Sequence, residues 1–215
     1  MRPTALVLDW GGVLTPPFRA CLTGWARREA VDLDGFLAVL ASHLGAAATV
    51  PAERNPFQAV ECGQLPVAEF ELALAGLLPA DRPVAADGLL GRMFADFTLV
   101  EPMVEVVRRA RAAGVPTALL SNSWGQPYPE AVLAELFDAT VFSCAAGVRK
   151  PDPAAYLLAA RLLGTEPAQC LFVDDIRSNV AGAEAVGMTG LWHRDPAETI
   201  PAIADRLGLP GEPPR

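Results

Sequence analysis

Polar side chains that could do chemistry follow three apolar runs of this 215-residue chain, and its only lysine lies between the second and third runs. In chain order these side chains are Asp9, Ser121 with Asn122, Lys150, and Asp174 with Asp175. A carboxylate nucleophile, a hydroxyl, an ammonium group and a second carboxylate pair are the groups needed to transfer a phosphoryl group through an aspartyl-phosphate. Each residue alone also has an ordinary interpretation, because Asp, Ser and Asn are common in turns and helix caps. The ordered set predicts phosphoryl chemistry.

The three apolar runs have the pattern of strands buried on both faces. Residues 5–8, 116–120 and 170–173 are short and continuously hydrophobic, and each run ends at one of these polar groups. Residues 140–142 and 190–192 give weaker signals of the same kind. Ligands of parallel α/β sheets bind beyond the carboxyl ends of the strands. We therefore expect the polar side chains to meet at that edge.

Helical patterns separate the predicted strands. They cover residues 102–113, 130–136, 153–163 and 178–186, and several precede a glycine that suits a helix C-terminus. Alternating strands and helices predict an α/β fold with a doubly wound, Rossmann-like parallel sheet.

The residues after the first strand differ from the rest, because they show helical stretches separated by Gly and Pro and no convincing strand. We predict a small all-helical cap domain over 16–95, inserted into a core domain formed by 1–15 and 96–215. The cap is expected to roof the strand ends. The proline-rich end, 210–215, is expected to fray.

The composition restricts the partners. The chain has 17 basic and 25 acidic residues, and its formal net charge is -8. A negative mean field repels polyphosphates, so we expect a small phosphorylated substrate and no nucleic acid. The apolar runs are too short to span a bilayer, and the four dispersed cysteines are typical of free thiols in a reducing compartment. We expect a cytoplasmic protein without membrane contact, either a monomer or a homodimer.

The ordered polar residues resemble the four motifs of the haloacid dehalogenase superfamily, over nearly the whole chain. The matching segments are Asp9-Trp-Gly-Gly-Val-Leu14, Leu-Leu-Ser121-Asn, Lys150-Pro-Asp-Pro153, and Phe-Val-Asp174-Asp175 followed by Ser-Asn179. Residues 61–70 are similar to a segment of the helical caps in subfamily I, whose cap follows the first motif. Asn122-Ser123-Trp124 is similar to the phosphatase-like domain beside epoxide hydrolases. The resemblance implies a magnesium-dependent, phosphatase-type hydrolase.

A metal site follows from the resemblance. It implies that Asp9 is both the nucleophile and a ligand of Mg²⁺, a hard cation that prefers oxygen. The backbone carbonyl of Gly11 and an acidic residue of the fourth motif would complete the site. That residue is predicted to be Asp174, with Asp175 as the alternative.

The resemblance also assigns the phosphate contacts. Ser121 and the backbone of Asn122 would hold phosphate oxygens, and Lys150 would neutralise charge on the nucleophile and on the transferred group. Gly11 and Arg19 are further predicted substrate contacts. In the cap, Arg19 or Arg28 could hold an anionic group of the substrate, and Trp25 is either a contact or part of the cap core.

Gly11 departs from the family pattern, because family phosphatases carry there a second Asp that protonates the leaving oxygen and then activates water. General acid catalysis worth roughly 10² to 10⁴ in rate is lost unless the substrate, water or the cap supplies the proton. A slow phosphatase is the favoured reading. The alternatives are a 2-haloacid dehalogenase-type hydrolase, whose halide leaves without a proton, and a catalytically lapsed fold that binds a ligand or a protein. Phosphonate hydrolysis would need a cap lysine, but Lys150 is the only lysine.

Overall fold

The computed structural model describes residues 2–44 and 48–210, and its centre is a five-stranded sheet. The strands are β1 (Ala5–Leu8), β2 (Thr117–Ser121), β3 (Ala139–Phe142), β4 (Cys170–Asp174) and β5 (Thr189–Trp192). Their order in the sheet is β3-β2-β1-β4-β5, and all neighbours are parallel. The carboxyl ends of the strands therefore share one edge.

In the part of the chain that the structure describes, five α-helices form a cap between β1 and β2. They are α1 (Phe18–Glu29), α2 (Leu33–Leu44), α3 (Pro56–Glu61), α4 (Val67–Leu77) and α5 (Leu89–Phe94). The cap has a hydrophobic core of its own, which includes Trp25, Phe36, Phe57 and Phe70. Trp124, from the loop after β2, inserts into this core and so joins the cap to the sheet. The predicted boundaries of the two domains stay a prediction.

The remaining helices are α6 (Glu101–Ala112), α7 (Glu130–Leu136), α8 (Ser143–Ala146), α9 (Pro153–Leu162), α10 (Arg177–Ala185) and α11 (Pro196–Leu207). Helices α6, α7 and α11 cover one face of the sheet, while α9 and α10 cover the other. In β1, Leu6 and Leu8 face the first layer, whereas Ala5 and Val7 face the second. This alternation explains why β1 is hydrophobic at every position, and the predicted fold class is confirmed.

Two helices were missed by the sequence patterns. Helix α11 contains Pro201, a residue that interrupts helix hydrogen bonding. Its start nevertheless has a recognisable signal, because Asp195 accepts a hydrogen bond from the Ala197 N–H and Pro196 follows at the first helical position. Helix α8 has four residues, which is too few for a helical period to be visible.

In the described ranges, no helix has both the length and the apolar character needed to cross a membrane. Most of the end predicted to fray, 211–215, lies outside the described residues.

Candidate active site

The three central strands bring three predicted site residues together. Asp9 follows β1, Ser121 is the last residue of β2, and Asp174 is the last residue of β4. Because β1 lies between β2 and β4, Asp9 lies between the other two along the sheet edge. All three residues are buried. The topology alone accounts for this meeting of residues from distant parts of the chain.

Lys150 joins two of the carboxylates. Its Nζ lies 2.8 Å from Asp9 Oδ1 and 2.7 Å from Asp174 Oδ2, and 1% of the residue is exposed. The Asn122 carboxamide holds the lysine backbone, since its Nδ2 donates to the Lys150 carbonyl at 3.0 Å and its Oδ1 accepts from the Lys150 N–H at 2.9 Å. The Asn122 side chain thus positions Lys150, a role that the sequence did not predict.

Further hydrogen bonds fix the orientation of the Asp174 carboxylate. Asn179 Nδ2 lies 3.1 Å from each of its oxygens, and the Ile176 N–H donates to Oδ1 at 2.8 Å. Asn179 belongs to α10, which begins just after β4. The lysine and the start of this helix therefore hold Asp174 from two sides.

The site contains more negative than positive charge. Burial, together with the nearby Asp174 and Asp175, raises the pKa of Asp9, and Lys150 offsets only part of this effect. Burial, followed by Asp174, raises the pKa of Asp175 to about 6. Burial by itself would lower the pKa of Lys150, but Asp174 and Asp9 raise it above its ordinary value, so the lysine is charged.

Three carboxylates of the site lie close enough together to hold a cation. Carboxylate oxygens of Asp9, Asp174 and Asp175 all lie within 4.8 Å of one another. Such hard oxygen donors suit Mg²⁺. Gly12, whose φ is 73°, allows the Asp175 carboxylate to approach, because a Cβ at this glycine would overlap it. The requirement for glycine at this position was not predicted.

The Ser121 hydroxyl shares a hydrogen bond of 3.0 Å with the hydroxyl of Tyr128, which also accepts from Gln126 Nε2 at 2.8 Å. Burial is the main cause that raises the pKa of Tyr128 to about 12, so its phenol stays neutral near pH 7. The neutral phenol of Tyr128 therefore hydrogen-bonds to Ser121, the residue predicted to bind phosphate oxygens.

The cap contacts the site through a buried carboxylate. Glu61, at the end of α3, accepts hydrogen bonds from Trp124 Nε1 at 3.1 Å and from Arg149 Nε. Arg149 directly precedes Lys150 in the sequence. Burial raises the pKa of Glu61 although Arg149 opposes that shift. Close by, a Cβ at Gly63 would overlap the backbone carbonyl of Cys144, so the glycine permits close contact of cap and core.

Sequence reasoning noticed Glu61 and Trp124 but missed their contacts. Glu61 lies in the cap segment that resembles the family, and Trp124 follows the second motif. The pairing of Glu61 with Arg149 spans 88 residues of sequence, and no local pattern indicates it. Tyr128 was also missed, because a tyrosine in a proline-containing loop has no distinguishing signal.

A cavity of about 580 Å³ lies between this edge of the sheet and the cap. Asp9, Ser121, Asn122, Lys150 and Asp175 line one side of it. Side chains from the cap and from the segment before α6 line the other side. The volume is within the roughly 300–1,000 Å³ typical of small-molecule sites.

The remaining predicted contacts are placed differently. Gly11 lines the cavity, and a Cβ at this position would have no atom within 4 Å. Arg19 does not line the cavity; its side chain is 58% exposed and pairs with Asp34 at 2.6 Å. Arg28 is exposed and pairs with Asp96, and Trp25 is buried in the cap core. The structure therefore brings Gly11 to the other site residues and leaves the three cap residues outside.

The sheet, the cap and the carboxylate–ammonium cluster at the strand ends define a capped α/β enzyme with its site at the sheet edge. A sequence model of the haloacid dehalogenase-like hydrolases matches residues 3–187. The chain belongs to this family of hydrolases.

Two relatives and one solved structure illustrate the similarity. The chain is 36% identical over 136 residues to a phosphoglycolate phosphatase of Pseudomonas putida, which is 54% of this chain and 48% of that protein. It is 33% identical over 129 residues to a phosphatase of Mycobacterium tuberculosis. This match covers 57% of this chain and 59% of that protein. A HAD family enzyme of Bacteroides thetaiotaomicron, solved with magnesium and inorganic phosphate, matches this chain with a TM-score of 0.66 at 18% sequence identity. The match covers 89% of this chain and 94% of that chain. That structure shows the fold alone.

The matches to relatives are partial. The chain spans between 10% of a mouse acyl-CoA dehydrogenase family member 10 and 59% of the mycobacterial phosphatase.

Proposed function

We propose that this chain is a Mg²⁺-dependent phosphatase that acts on a small phosphorylated substrate, with Asp9 as the nucleophile. The observation that supports this function best is the buried ammonium of Lys150, 2.8 Å from Asp9 and 2.7 Å from Asp174. A phosphoryl dianion can approach a carboxylate only where fixed positive charge offsets the repulsion. The phosphatases among its relatives support the same reaction class.

The proposed reaction has two steps. An oxygen of Asp9 attacks phosphorus, a bond forms between them, and the ester P–O bond breaks with its electron pair remaining on the leaving oxygen. Water then attacks the aspartyl-phosphate, the bond from phosphorus to Asp9 breaks, and inorganic phosphate leaves. Ser121 and the backbone of Asn122 hold phosphoryl oxygens, while Lys150 stabilises the charge that develops on them.

The metal ligands would be the carboxylates of Asp9 and Asp174, with Asp175 as the alternate or additional carboxylate, and the carbonyl of Gly11. When bound, Mg²⁺ supplies positive charge that polarises the phosphoryl group. The chain itself contributes the orientation of its ligands, since Lys150 and Asn179 hold Asp174 and the glycine at position 12 lets Asp175 approach.

The proton for the leaving oxygen does not come from Gly11, which has no side chain. General acid catalysis worth roughly 10² to 10⁴ in rate is therefore not available from this position. We expect faster turnover of esters whose leaving group needs little protonation, such as p-nitrophenyl phosphate, than of alkyl phosphates.

The test is phosphate release from p-nitrophenyl phosphate and a panel of phosphorylated metabolites, measured with Mg²⁺ and with a chelator. Asp9→Asn should lower kcat by roughly 10⁴-fold or more, because nucleophile removal has effects of that size. Asp34→Asn, which changes an exposed carboxylate of the cap, is the matched control and should retain full activity. Metal-independent phosphate release, or an Asp9→Asn variant as active as the control, would contradict the proposal.

Two other outcomes distinguish the alternatives. Chloride release from chloroacetate that a chelator does not affect would indicate a dehalogenase. Absence of turnover with every ester, while Mg²⁺ and a phosphate mimic still bind, would indicate a binding protein.

A further inference from the structure

Large apolar side chains form part of the lining of the cavity above Asp9. Six large apolar side chains line it, namely Phe18, Leu40, Leu44, Phe94, Phe97 and Leu99, and we call them the apolar wall. They come from α1, α2, α5 and the segment before α6. Four separate parts of the chain therefore contribute apolar groups to one surface of the cavity.

The aromatic members of the apolar wall contact one another. The ring centroids of Phe94 and Phe97 are 4.6 Å apart, and Phe18 lies 5.9 Å from Phe97 and 6.2 Å from Phe94. Trp124 extends this group, with its ring centroid 6.0 Å from those of Phe18 and Phe94. All six side chains of the apolar wall remain half-buried. A contiguous apolar surface left open to water is typical of a binding site.

The positive charge of the cavity comes from residues outside the apolar wall. Among the described residues that line the cavity, the cationic side chains are Lys150 and Arg149. Lys150 is engaged with Asp9 and Asp174, and Arg149 is paired with Glu61. A second anionic group on the substrate would thus have to lose its hydration against the apolar wall without a free cation to compensate, which is strongly unfavourable.

We propose that the substrate is a phosphomonoester of an uncharged, largely hydrocarbon alcohol, whose organic group lies against the apolar wall while its phosphate meets Asp9 and Lys150. This inference rests on the proposed function and adds the substrate class to it. The apolar wall and the charged site line the same cavity, so one molecule contacts both. Burial of the organic group against the apolar wall supplies binding energy that distinguishes this substrate from others. The phosphate contacts cannot do so, because every phosphate ester makes them.

The direct test is binding, because it does not depend on turnover. Alkylphosphonates from propyl to octyl are titrated into the protein with Mg²⁺, in parallel with analogues of equal length that end in a carboxylate. We expect the dissociation constant to fall by about threefold to fourfold for each added methylene until the cavity is filled. Hexylphosphonate should bind at least about tenfold more tightly than its carboxylate-terminated counterpart, because that carboxylate loses its hydration.

A matched pair of cap variants locates the effect. Leu40 belongs to the apolar wall, whereas Leu72 is 66% exposed on α4 and does not line the cavity. Leu40→Arg should remove most of the preference for hexylphosphonate and strengthen binding of the carboxylate-terminated probe. Leu72→Arg should leave both constants unchanged. Urea unfolding of each variant shows whether it is folded, and Leu40→Ser serves as a second, uncharged variant that should weaken only the longer probes.

The outcomes separate this inference from the phosphatase proposal. Equal or tighter binding of the carboxylate-terminated probe by the wild type, no dependence on chain length, or no binding of either probe would overturn the substrate class. If p-nitrophenyl phosphate is turned over at the same time, the phosphatase proposal stands alone. If the probes bind with the expected preference but no ester is turned over, the phosphatase proposal is overturned. The inference that the cavity binds an apolar phosphate ester then stands alone.

Discussion

The two sides of the cavity are stabilised in different ways. On the sheet side, Lys150 contacts the carboxylates of Asp9 and Asp174, and Asn179 and the Ile176 N–H donate further hydrogen bonds to Asp174. On the cap side, the apolar wall consists of half-buried rings and leucines. Glu61 links the sides through Trp124 and Arg149.

This difference indicates that the two sides of the cavity serve different functions. The charged side is fixed by many directed hydrogen bonds and ion pairs, and the proposed recognition of phosphate would require that rigidity because charge must be opposed at short range. The apolar side depends on area and shape, which allows its residues to change with the substrate. If the proposed function holds, the strand ends determine the reaction class, and the apolar wall of the cap and of the segment before α6 determines the substrate class.

Removal of Lys150 tests the charged side and should have the largest effect. Lys150→Met leaves two buried carboxylates unpaired, so in chelator we expect a loss of about 3–5 kcal/mol in the free energy of unfolding, together with loss of phosphatase activity. Urea unfolding measures the first. Arg19→Met removes a cation from an exposed ion pair of the cap and should cost about 1 kcal/mol or less. Similar losses of unfolding free energy in Lys150→Met and Arg19→Met would show that the buried ion pairs are no more important for stability than an exposed one.

Removal of Trp124 tests the apolar side. Its ring packs against Phe18, Phe57, Phe70 and Phe94. Trp124→Ala should lower the free energy of unfolding by about 3–5 kcal/mol, as expected for a large core aromatic residue. Trp124→Phe keeps one ring but loses the bond to Glu61 and the five-membered part of the indole, so a smaller loss of about 1–2 kcal/mol is expected. An alanine variant as stable as the phenylalanine variant would show that packing does not hold the cap.

Gly11→Asp changes the charged side alone, because it adds a carboxylic acid there and leaves the apolar wall intact. The site has room for a Cβ, and we expect kcat for hexyl phosphate to rise by roughly 10²-fold, the lower end of general acid catalysis. Turnover of p-nitrophenyl phosphate, whose leaving group needs little protonation, should change by less than about threefold. Gly11→Asn is the uncharged control. An equal gain with both esters would show that the new residue acts other than as an acid.

The smallest effect concerns Glu61, which links the two sides. Because burial raises its pKa in the folded state, its contribution to stability is greatest below its unfolded pKa and is lost as pH rises through the folded pKa. Glu61→Gln cannot titrate. The stability of the wild type relative to the variant should therefore fall as pH increases, which urea unfolding of both proteins at several pH values measures. A difference that is constant or grows with pH would be inconsistent with this reading.

Much of the sheet side could be predicted from local patterns. Residues 5–8, 116–120 and 170–173 are recognisable as buried strands, and the structure places strands there with shifts of one residue at most. Parallel strands place their ends at one edge, which is why Asp9, Ser121 and Asp174 were expected together and are found together. Their catalytic roles stay predictions.

The cap side could not be predicted in the same way. Arg19 was expected to contact substrate, yet it lies on the outer surface with Asp34. Phe18 and Leu40 were not singled out, because a half-buried apolar residue of a cap helix has the same local pattern as a residue of the cap core. Phe97 lies in the segment before α6, where no helical period marks it. Which face of a helix points to the cavity depends on how several helices pack.

Local sequence patterns were sufficient to predict the alternation of strands and helices along the core apart from α8 and α11, the polar groups at the strand ends and the family to which the motifs belong. Folding of the whole chain set the partners of each polar group, including the contact of Glu61 with Arg149, and assembled the apolar wall. Hydrophobic periodicity and turn chemistry act over a few residues of sequence, whereas a cavity is formed by side chains from distant segments that only folding brings into contact.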